Sequence, residues 1–360
     1  MSNILILSHT QSHSDFKIGS HHYANGLSEL GHQVYYSGMP RTIFHKLLRK
    51  EKTGPYKLNN NVINLQIGAL LPLTMPLNII TRYLNSILFS LFKKNREIKK
   101  IKYHTVICDS PFFFPLLRNI SYDLLCYRPT DNYVAMVGEK AAEYERNLCD
   151  MSEIIVCTSK TVAENIVVKY SIDEMKVKVI ANGYDSDHFF SIANNKEKRK
   201  NALYIGALDY RFDFDALYKL AVENKDVIFD IYGPAEKRYD SEILKIKKLG
   251  NVYFHGKVDY LKTNEIMNEY KIGLLLLKAT DSNLGRSPMK LWEYLASGLN
   301  VIYANIDNVE TNECLYKYES YEEMLDKYQI ANSQEFEIPN DFLEKNSWKK
   351  KVLELNTLIV

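Results

Sequence analysis

Two successive series of short apolar runs, each run followed by a stretch with apolar residues at helical spacing, constrain this chain most. In the first series the strand candidates are 3–8, 33–37, 62–67, 104–108, 123–127, 153–157 and 177–181, with helix candidates such as 18–30, 136–149 and 160–169 between them. In the second they are 202–206, 227–232, 251–254, 272–277 and 300–303, alternating with helices at 213–223, 239–248, 262–270 and 288–297. Such alternation builds parallel strands, and a parallel sheet needs helices on both faces. The polar stretch 194–201 separates the series and reads as a linker. The expected fold is α/β, with two doubly wound Rossmann-like domains facing a central cleft. Residues 1–190 form the first domain, 191–345 the second, and 346–360 an amphipathic helix crossing back toward the first. Ligands of such sheets sit outside the carboxyl ends of the strands.

Composition excludes several classes. With 46% hydrophobic and 25% charged residues, the chain is an ordinary globular one and not a disordered one. Five widely spaced cysteines without a CxxC argue against a disulfide framework or zinc knuckle. No basic leader precedes the first apolar run, and no run is long enough to span a bilayer. The formal charge is only +2, but residues 41–105 hold 13 Lys/Arg against Glu51 and Glu97. That segment includes the apolar run 70–77 and a helix candidate at 78–96. There Leu84, Ile87, Leu88 and Leu91 recur at helical spacing, widened by Phe89 and Phe92 and followed by Lys93, Lys94 and Arg96. The stretch is either a core helix with a solvated basic end or a surface that lies on an anionic membrane, where each cation adds about 1 kcal/mol. No nucleic-acid module is present and the second half is acidic, so no nucleic-acid partner is expected.

The most informative stretch is Ser287-Pro288-Met289-Lys290-Leu291-Trp292-Glu293-Tyr294-Leu295-Ala296-Ser297-Gly298. Ser287 suits an N-cap and Pro288 the first helical position. A helix starting here points backbone N–H groups and a positive dipole end at the loop after strand 272–277, which favours an anion. Lys290 adds a full charge, and one turn on Glu293 can accept hydrogen bonds from a vicinal diol. Diphosphate at the helix end and ribose at the carboxylate describe a nucleoside diphosphate. An ordinary capped helix with an exposed Lys and Glu is the alternative.

That stretch resembles the donor-binding helix of GT-B glycosyltransferases. In register with it, Asn182-Gly183-Tyr184-Asp185 with Phe189 resembles the interdomain loop of that superfamily. Leu203-Tyr204-Ile205-Gly206, Asp230-Ile231-Tyr232-Gly233-Pro234 and Asn251-Val252-Tyr253-Phe254-His255-Gly256 resemble the first three strand ends of its donor domain. Ser347-Trp348 resembles the opening of its terminal helix. Toward the amino end, the stretch from Asp15 to Ala24 and Tyr127-Arg128-Pro129-Thr130-Asp131-Asn132 are similar to the xanthan-type bacterial glucuronosyltransferases. The resemblance implies that Met289, Lys290 and Glu293 contact UDP, although Glu293 stands where Gln is expected. Gly206, Tyr232, Gly256, Ser287 and Arg211 complete the expected nucleotide-sugar site, with a salt bridge to Asp209 or Asp213 as the alternative for Arg211.

The resemblance also implies that the general base lies in the Pro-Thr-Asp-Asn turn, which makes it Asp131, with Asp109 as competitor and helix capping as Asp131's alternative role. Ser20, His21 and His22 either line the acceptor side or pack a helix end. Eight positions before Glu293 stands Gly285, so the Glu-x7-Glu pair of many retaining enzymes is absent. Asp185-Ser186-Asp187 spells a metal-site DxD but lies in the interdomain loop, so no metal or other cofactor is expected. The reading is an inverting transferase that moves a sugar, by resemblance glucuronic acid, from a UDP-sugar to a lipid-linked saccharide. It would work in the cytoplasm at the inner face of a bacterial plasma membrane, in surface polysaccharide synthesis. A retaining enzyme using a neutral UDP- or GDP-sugar, a UDP-sugar epimerase and a non-catalytic nucleotide-binding scaffold are the rivals.

Overall fold

The computed structural model describes residues 1–14, 17–42, 56–74, 79–192, 199–280, 283, 285–306, 309–334 and 337–360. They fall into two compact units, Met1–Ala181 with Lys351–Val360, and Asn182–Lys350.

Among the described residues, the first unit holds a seven-stranded parallel sheet of β1 (Asn3–Leu7), β2 (Gln33–Ser37), β3 (Ile63–Asn64), β4 (Lys102–Cys108), β5 (Ser121–Tyr127), β6 (Ile154–Cys157) and β7 (Val177–Val179). The spatial order is β7-β6-β5-β4-β1-β2-β3. Sequence order reverses between β1 and β4, so that seam is the topological switch point. Ile4, Leu5, Ile6 and Leu7 are fully buried, as a run covered on both faces requires. The covering helices are α1 (Gly19–Glu29), α2 (Ile79–Ile87), α3 (Lys93–Lys100), α4 (Tyr133–Val137), α5 (Lys140–Met151) and α6 (Lys160–Tyr170). Leu7 pairs with both Ser37 and Cys108, and Cys108 with Tyr127, so four strands end at one level. The ladder runs one residue further through Ser8, Asp109 and Arg128, whose N–H groups donate to Ser37, Leu7 and Cys108 at 2.9, 2.9 and 2.8 Å. The loops that begin at Ser8, Asp109 and Arg128 therefore leave from one end of the sheet.

The second unit repeats the plan with β8 (Lys200–Ile205), β9 (Phe229–Tyr232), β10 (Val252–Gly256), β11 (Tyr270–Leu275), β12 (Asn300–Tyr303) and β13 (Leu315–Lys317), ordered β10-β9-β8-β11-β12-β13 and parallel throughout. Its helices are α7 (Phe214–Glu223), α8 (Asp240–Lys247), α9 (Thr263–Met267), α10 (Met289–Ala296), α11 (Tyr321–Ser333), α12 (Asn340–Glu344) and α13 (Trp348–Ile359), the last of which runs on into the first unit's residues. Ala202 and Tyr204 join one core and Leu203 and Ile205 the other, the two-residue period of a strand buried on both sides. Both doubly wound sheets stand as expected. The sequence reading lacked β13 and α11: β13 is three residues long, and α11 carries its apolar residues without a sharp stripe.

One expected element is different. The helix candidate 78–96 is two helices, because α2 ends at Ile87, Phe89–Leu91 forms a 3-10 turn and Phe92 is extended at φ −84°, ψ 130° before α3 begins. The cause is tertiary. Phe89 is fully buried in the first unit's core, and Phe92 lies against Gly68, where an added Cβ would stand 2.5 Å from the ring. Asn85 accepts from the N–H groups of Leu70 and Leu71, and Asn95 from that of Gly68, so buried amides tie both helices to one loop. Ile87 and Leu91 are left 75% and 69% exposed beside the exposed cations Lys93, Lys94, Arg96, Lys99 and Lys100. Residues 75–78 of this region, the basic residues Lys46, Arg49, Lys50 and Lys52, Asp15 and Phe16, and linker residues 194–198 lie outside the described residues; Lys200 and Asn201 open β8. No helix of the described residues is long and apolar enough to cross a membrane.

Candidate functional site

The centre of the second unit's candidate site is α10, and its seat explains its sequence. Leu291 through Ala296 are buried. Gly273 in β11 gives the helix room, since a Cβ there would lie 2.6 Å from the Tyr294 ring. The Tyr294 hydroxyl accepts a hydrogen bond from the Ile205 N–H at 2.7 Å, which pins the helix to the last residue of β8. Next to it, Gly233 has φ +144°, and a Cβ there would come within 1.7 Å of the Gly206 carbonyl oxygen, so only glycine fits. The Gly206 N–H donates to Tyr232 and the Gly233 N–H to Gly256, at 2.9 and 2.7 Å. Gly206, Gly233 and Gly256 thus form a rim without side chains at the carboxyl ends of three adjacent strands, where a ligand can approach the backbone closely. The Tyr232 ring is committed elsewhere: it stacks on His255 at 4.4 Å, and His255 Nε2 bonds Asp230 at 2.5 Å.

The amino end of α10 corrects one expectation. Ser287 does not cap the helix. Pro288 holds the cap position in extended conformation, Met289 is the first helical residue, and the Pro288 side chain offers the turn no acceptor. Asn182 has claimed Ser287, with its N–H donating to Ser287 Oγ at 2.9 Å and its Nδ2 to the Ser287 carbonyl at 2.8 Å. Neither Ser287 nor Pro288 therefore caps the first-turn N–H groups, and an uncapped helix end favours an anion. Within that turn Lys290 forms an ion pair with Glu293, and its Nζ lies 5.7 Å from the centroid of the Phe189 ring. Glu293 is only 5% exposed, and a carboxylate so buried needs a charged partner. A diphosphate can take over the ammonium, and the released carboxylate oxygens can then accept from a diol.

Arg211 takes the ion-pair alternative. Its Nε donates to both Asp209 oxygens at 2.9 and 3.1 Å, with Nη2 adding a further bond. Burial pushes the Asp209 carboxyl up, but the bonds from Arg211 outweigh it, and the charge of Arg286 helps hold it below its ordinary range. Arg286 stands directly before Ser287, yet the sequence reading passed over it. Its adjacency to the helix start was the available signal.

In the first unit, the structure separates the two candidate bases. Asp109 is fully buried and takes Arg128 Nε and Nη2 on its two oxygens at 2.9 and 2.8 Å. The Tyr133 hydroxyl donates to its carbonyl. Asp109 is thus a structural anchor. Asp131 is half-buried and accepts from Thr130 Oγ1 at 3.3 Å, while the cap of α4 is supplied by Asn132, whose Oδ1 accepts from the Ala135 N–H at 3.0 Å. Ser20, His21 and His22 are all buried. Ser20 Oγ bonds Ser8 Oγ at 2.7 Å, while His21 Nδ1 accepts from the Ile18 N–H and Nε2 donates to the Gln11 carbonyl. These bonds tie Ser20 and His21 to the loop before α1. Burial lowers the His21 pKa to about 4. His9, exposed on the loop after β1, lies within electrostatic reach of Asp109 and Asp131; its place two residues beyond the end of β1 was the signal for it.

Both aspartates of the DxD spelling have protein partners: Asp187 pairs with Lys349 at 2.6 Å and Asp185 accepts from the Tyr260 hydroxyl at 3.4 Å. Among the described residues no group of three His, Cys, Asp or Glu side chains gathers.

Residues 185–313, which include α10, the glycine rim and Arg211, match the family described as "Glycosyl transferases group 1". The chain is 25% identical over 230 residues to a Bacillus subtilis (strain 168) protein described as a teichuronic acid biosynthesis glycosyltransferase, TuaH. That match covers 58% of this chain and 57% of the relative, so the chain spans little more than half of that relative's length. Sucrose-phosphate synthase from Thermosynechococcus elongatus superposes with a TM-score of 0.72 at 13% identity, over 99% of this chain and 98% of that one. The lipopolysaccharide outer core galactosyltransferase WaaB gives 0.67 at 13% identity, over 99% of each chain. HepE from Anabaena, solved with UDP-glucose, gives 0.60 at 14%, over 100% of this chain and 98% of that one. These likenesses show the fold, which is GT-B. The matched segment 185–313 contains all of the nucleotide-sugar candidates, and Asp131 lies outside it.

Proposed function

We propose that the chain transfers a sugar from a UDP-sugar to a saccharide acceptor in surface polysaccharide synthesis, and does so without a metal ion. The observation that carries this reading is the amino end of α10, inside the matched segment 185–313, where Pro288 supplies no capping acceptor and Lys290 and Glu293 stand in the first turns. A helix end and an ammonium group neutralise a departing diphosphate, which is where negative charge develops as the glycosidic bond to UDP breaks. UDP as the nucleotide is supported by the complexes of HepE with UDP-glucose and of the pneumococcal O-GlcNAc transferase GtfA with UDP. Glucuronic acid as the sugar rests on the resemblance of the first half to xanthan-type enzymes.

In this reading Asp131 removes the proton from the acceptor hydroxyl, and attack opposite the leaving UDP inverts the anomeric centre. Asp131 is preferred to Asp109 because Asp109 is fully buried and both its oxygens accept from Arg128. Retention is the second reading. The acceptor is a lipid-linked saccharide at the inner face of the plasma membrane, supported by exposed Ile87 and Leu91 beside the cations of α3.

Calorimetric titration of the full chain with UDP, GDP and ADP tests the donor assignment, and turnover of UDP-glucuronate and UDP-glucose on bacterial membrane extracts tests the reaction. UDP is expected to bind, with GDP and ADP weaker. Absence of binding by all three would end the reading, and the anomeric configuration of the product separates inversion from retention.

A further inference from the structure

Phe189 is buried, 1% exposed, yet its ring faces the Lys290 ammonium at 5.7 Å. None of the roles assigned above uses it. Its orientation is fixed by two other rings. His188 stacks on Tyr260 with centroids 4.4 Å apart and planes 19° apart, and His188 Nε2 is held by the Tyr260 carbonyl at 2.9 Å and by Thr263 Oγ1 at 3.2 Å. Phe189 meets both rings edge to face, at 4.6 Å from His188 and 5.8 Å from Tyr260. The chain beyond is tied down as well. The N–H groups of Phe190 and Ile192 donate to Asn264 Oδ1 and Asn268 Oδ1 at 3.2 and 2.8 Å.

An aromatic face attracts a cation through its quadrupole, and more strongly where water is excluded. Lys290 therefore has two partners of different kinds. Glu293 is a competitor for ligand, because its carboxylate must give up the ammonium, in whole or part, when a diphosphate arrives. The ring is not a competitor, since it offers no hydrogen-bond acceptor to exchange and leaves all three ammonium N–H bonds available. We infer that Phe189 is a positioning residue: it holds the Lys290 ammonium at the amino end of α10 for a bound diphosphate, before and after Glu293 lets go. This rests on the donor reading proposed above and adds to it the part that keeps the lysine aimed.

The test is calorimetry of the full chain with UDP and with uridine, which lacks the diphosphate. Phe189→Met keeps bulk and removes the ring. It should weaken UDP binding by roughly 2- to 30-fold and leave uridine binding unchanged. Phe189→Tyr should restore UDP affinity, and in a Lys290→Ala background Phe189→Met should cost nothing further. Should Phe189→Met fail to fold, site-specific mono-, tri- and pentafluorophenylalanine at 189 keep the shape and drain the ring's negative face, and UDP affinity should fall stepwise with fluorination. Unchanged UDP affinity in these variants, or equal losses for UDP and uridine, overturns the inference while leaving the donor reading intact. A wild-type chain that binds uridine and UDP equally well removes the donor reading and this inference with it.

Discussion

At the scale of single residues, charge is placed by burial and partners. Lys290→Ala removes the cation opposite the diphosphate, so UDP affinity should fall by one to two orders of magnitude with the fold intact, as calorimetry and thermal unfolding would show together. Asp109 and Asp131 predict opposite phenotypes. Asp109→Asn leaves Arg128 buried without its counter-charge and should destabilise the first unit by about 3–5 kcal/mol in denaturant titration. Asp131→Asn should keep stability and UDP binding and lose turnover; normal turnover would move the base elsewhere. His21 gives a pH dependence. Its folded pKa of about 4 lies below the ordinary histidine value of 6.5, so the unfolded chain binds the proton first. Its contribution is fully present above 6.5 and is lost as pH falls toward 4, at up to about 1.4 kcal/mol per pH unit. Glu145 opposes this, since burial raises its pKa despite bonds from Tyr127 and Tyr170. His21→Asn should therefore flatten the loss of unfolding temperature between pH 7 and pH 5. A slope equal to that of the wild type would contradict the buried neutral ring.

At the scale of elements, the same apolar pattern gave a correct reading in α10 and a wrong one at 78–96. The α10 stretch carries its own signals: Pro288 at the start, Gly298 at the end, and a face broad enough to bury six consecutive residues. The 78–96 stretch carries a helical stripe too, but Phe89 enters the core and Phe92 packs on Gly68, and neither contact can be read from local spacing. Ser287 shows the same limit. By residue type it is a good cap, but Asn182, over a hundred positions earlier in the chain, holds its hydroxyl. The surface of α3 carries a prediction of its own: replacing Lys93, Lys94 and Arg96 with Gln should reduce binding to anionic phospholipid vesicles at low salt, and added salt should erase the difference. Equal binding by both proteins would leave α2 and α3 as plain covering helices.

At the scale of the molecule, two doubly wound units divide the chemistry. The nucleotide candidates Gly206, Arg211, Lys290 and Glu293 belong to Asn182–Lys350, and Asp131 to the other unit. The carboxyl-terminal Lys351–Val360 belongs to the first unit, where Val352, Leu355 and Ile359 are buried and the Ile359 carbonyl accepts from Thr105 Oγ1 at 2.8 Å. Each such side chain contributes about 1.5–3 kcal/mol by burial. Ending the chain at Lys350 should therefore lower the unfolding temperature of the first unit markedly in scanning calorimetry, and an unchanged transition would mean that the segment adds nothing to that core.

The sequence by itself determined the doubly wound plan and the helix α10, because both are written in local periodicity and in the residue types at helix ends, which act over one or two turns. Only the tertiary structure decided which aspartate is anchored by Arg128, that Lys290 rests between Glu293 and Phe189, and that Ser20 bonds Ser8 while His21 bonds Ile18 and Gln11. Those outcomes depend on burial and on partners distant along the chain, and no stretch of sequence contains the distances that select them.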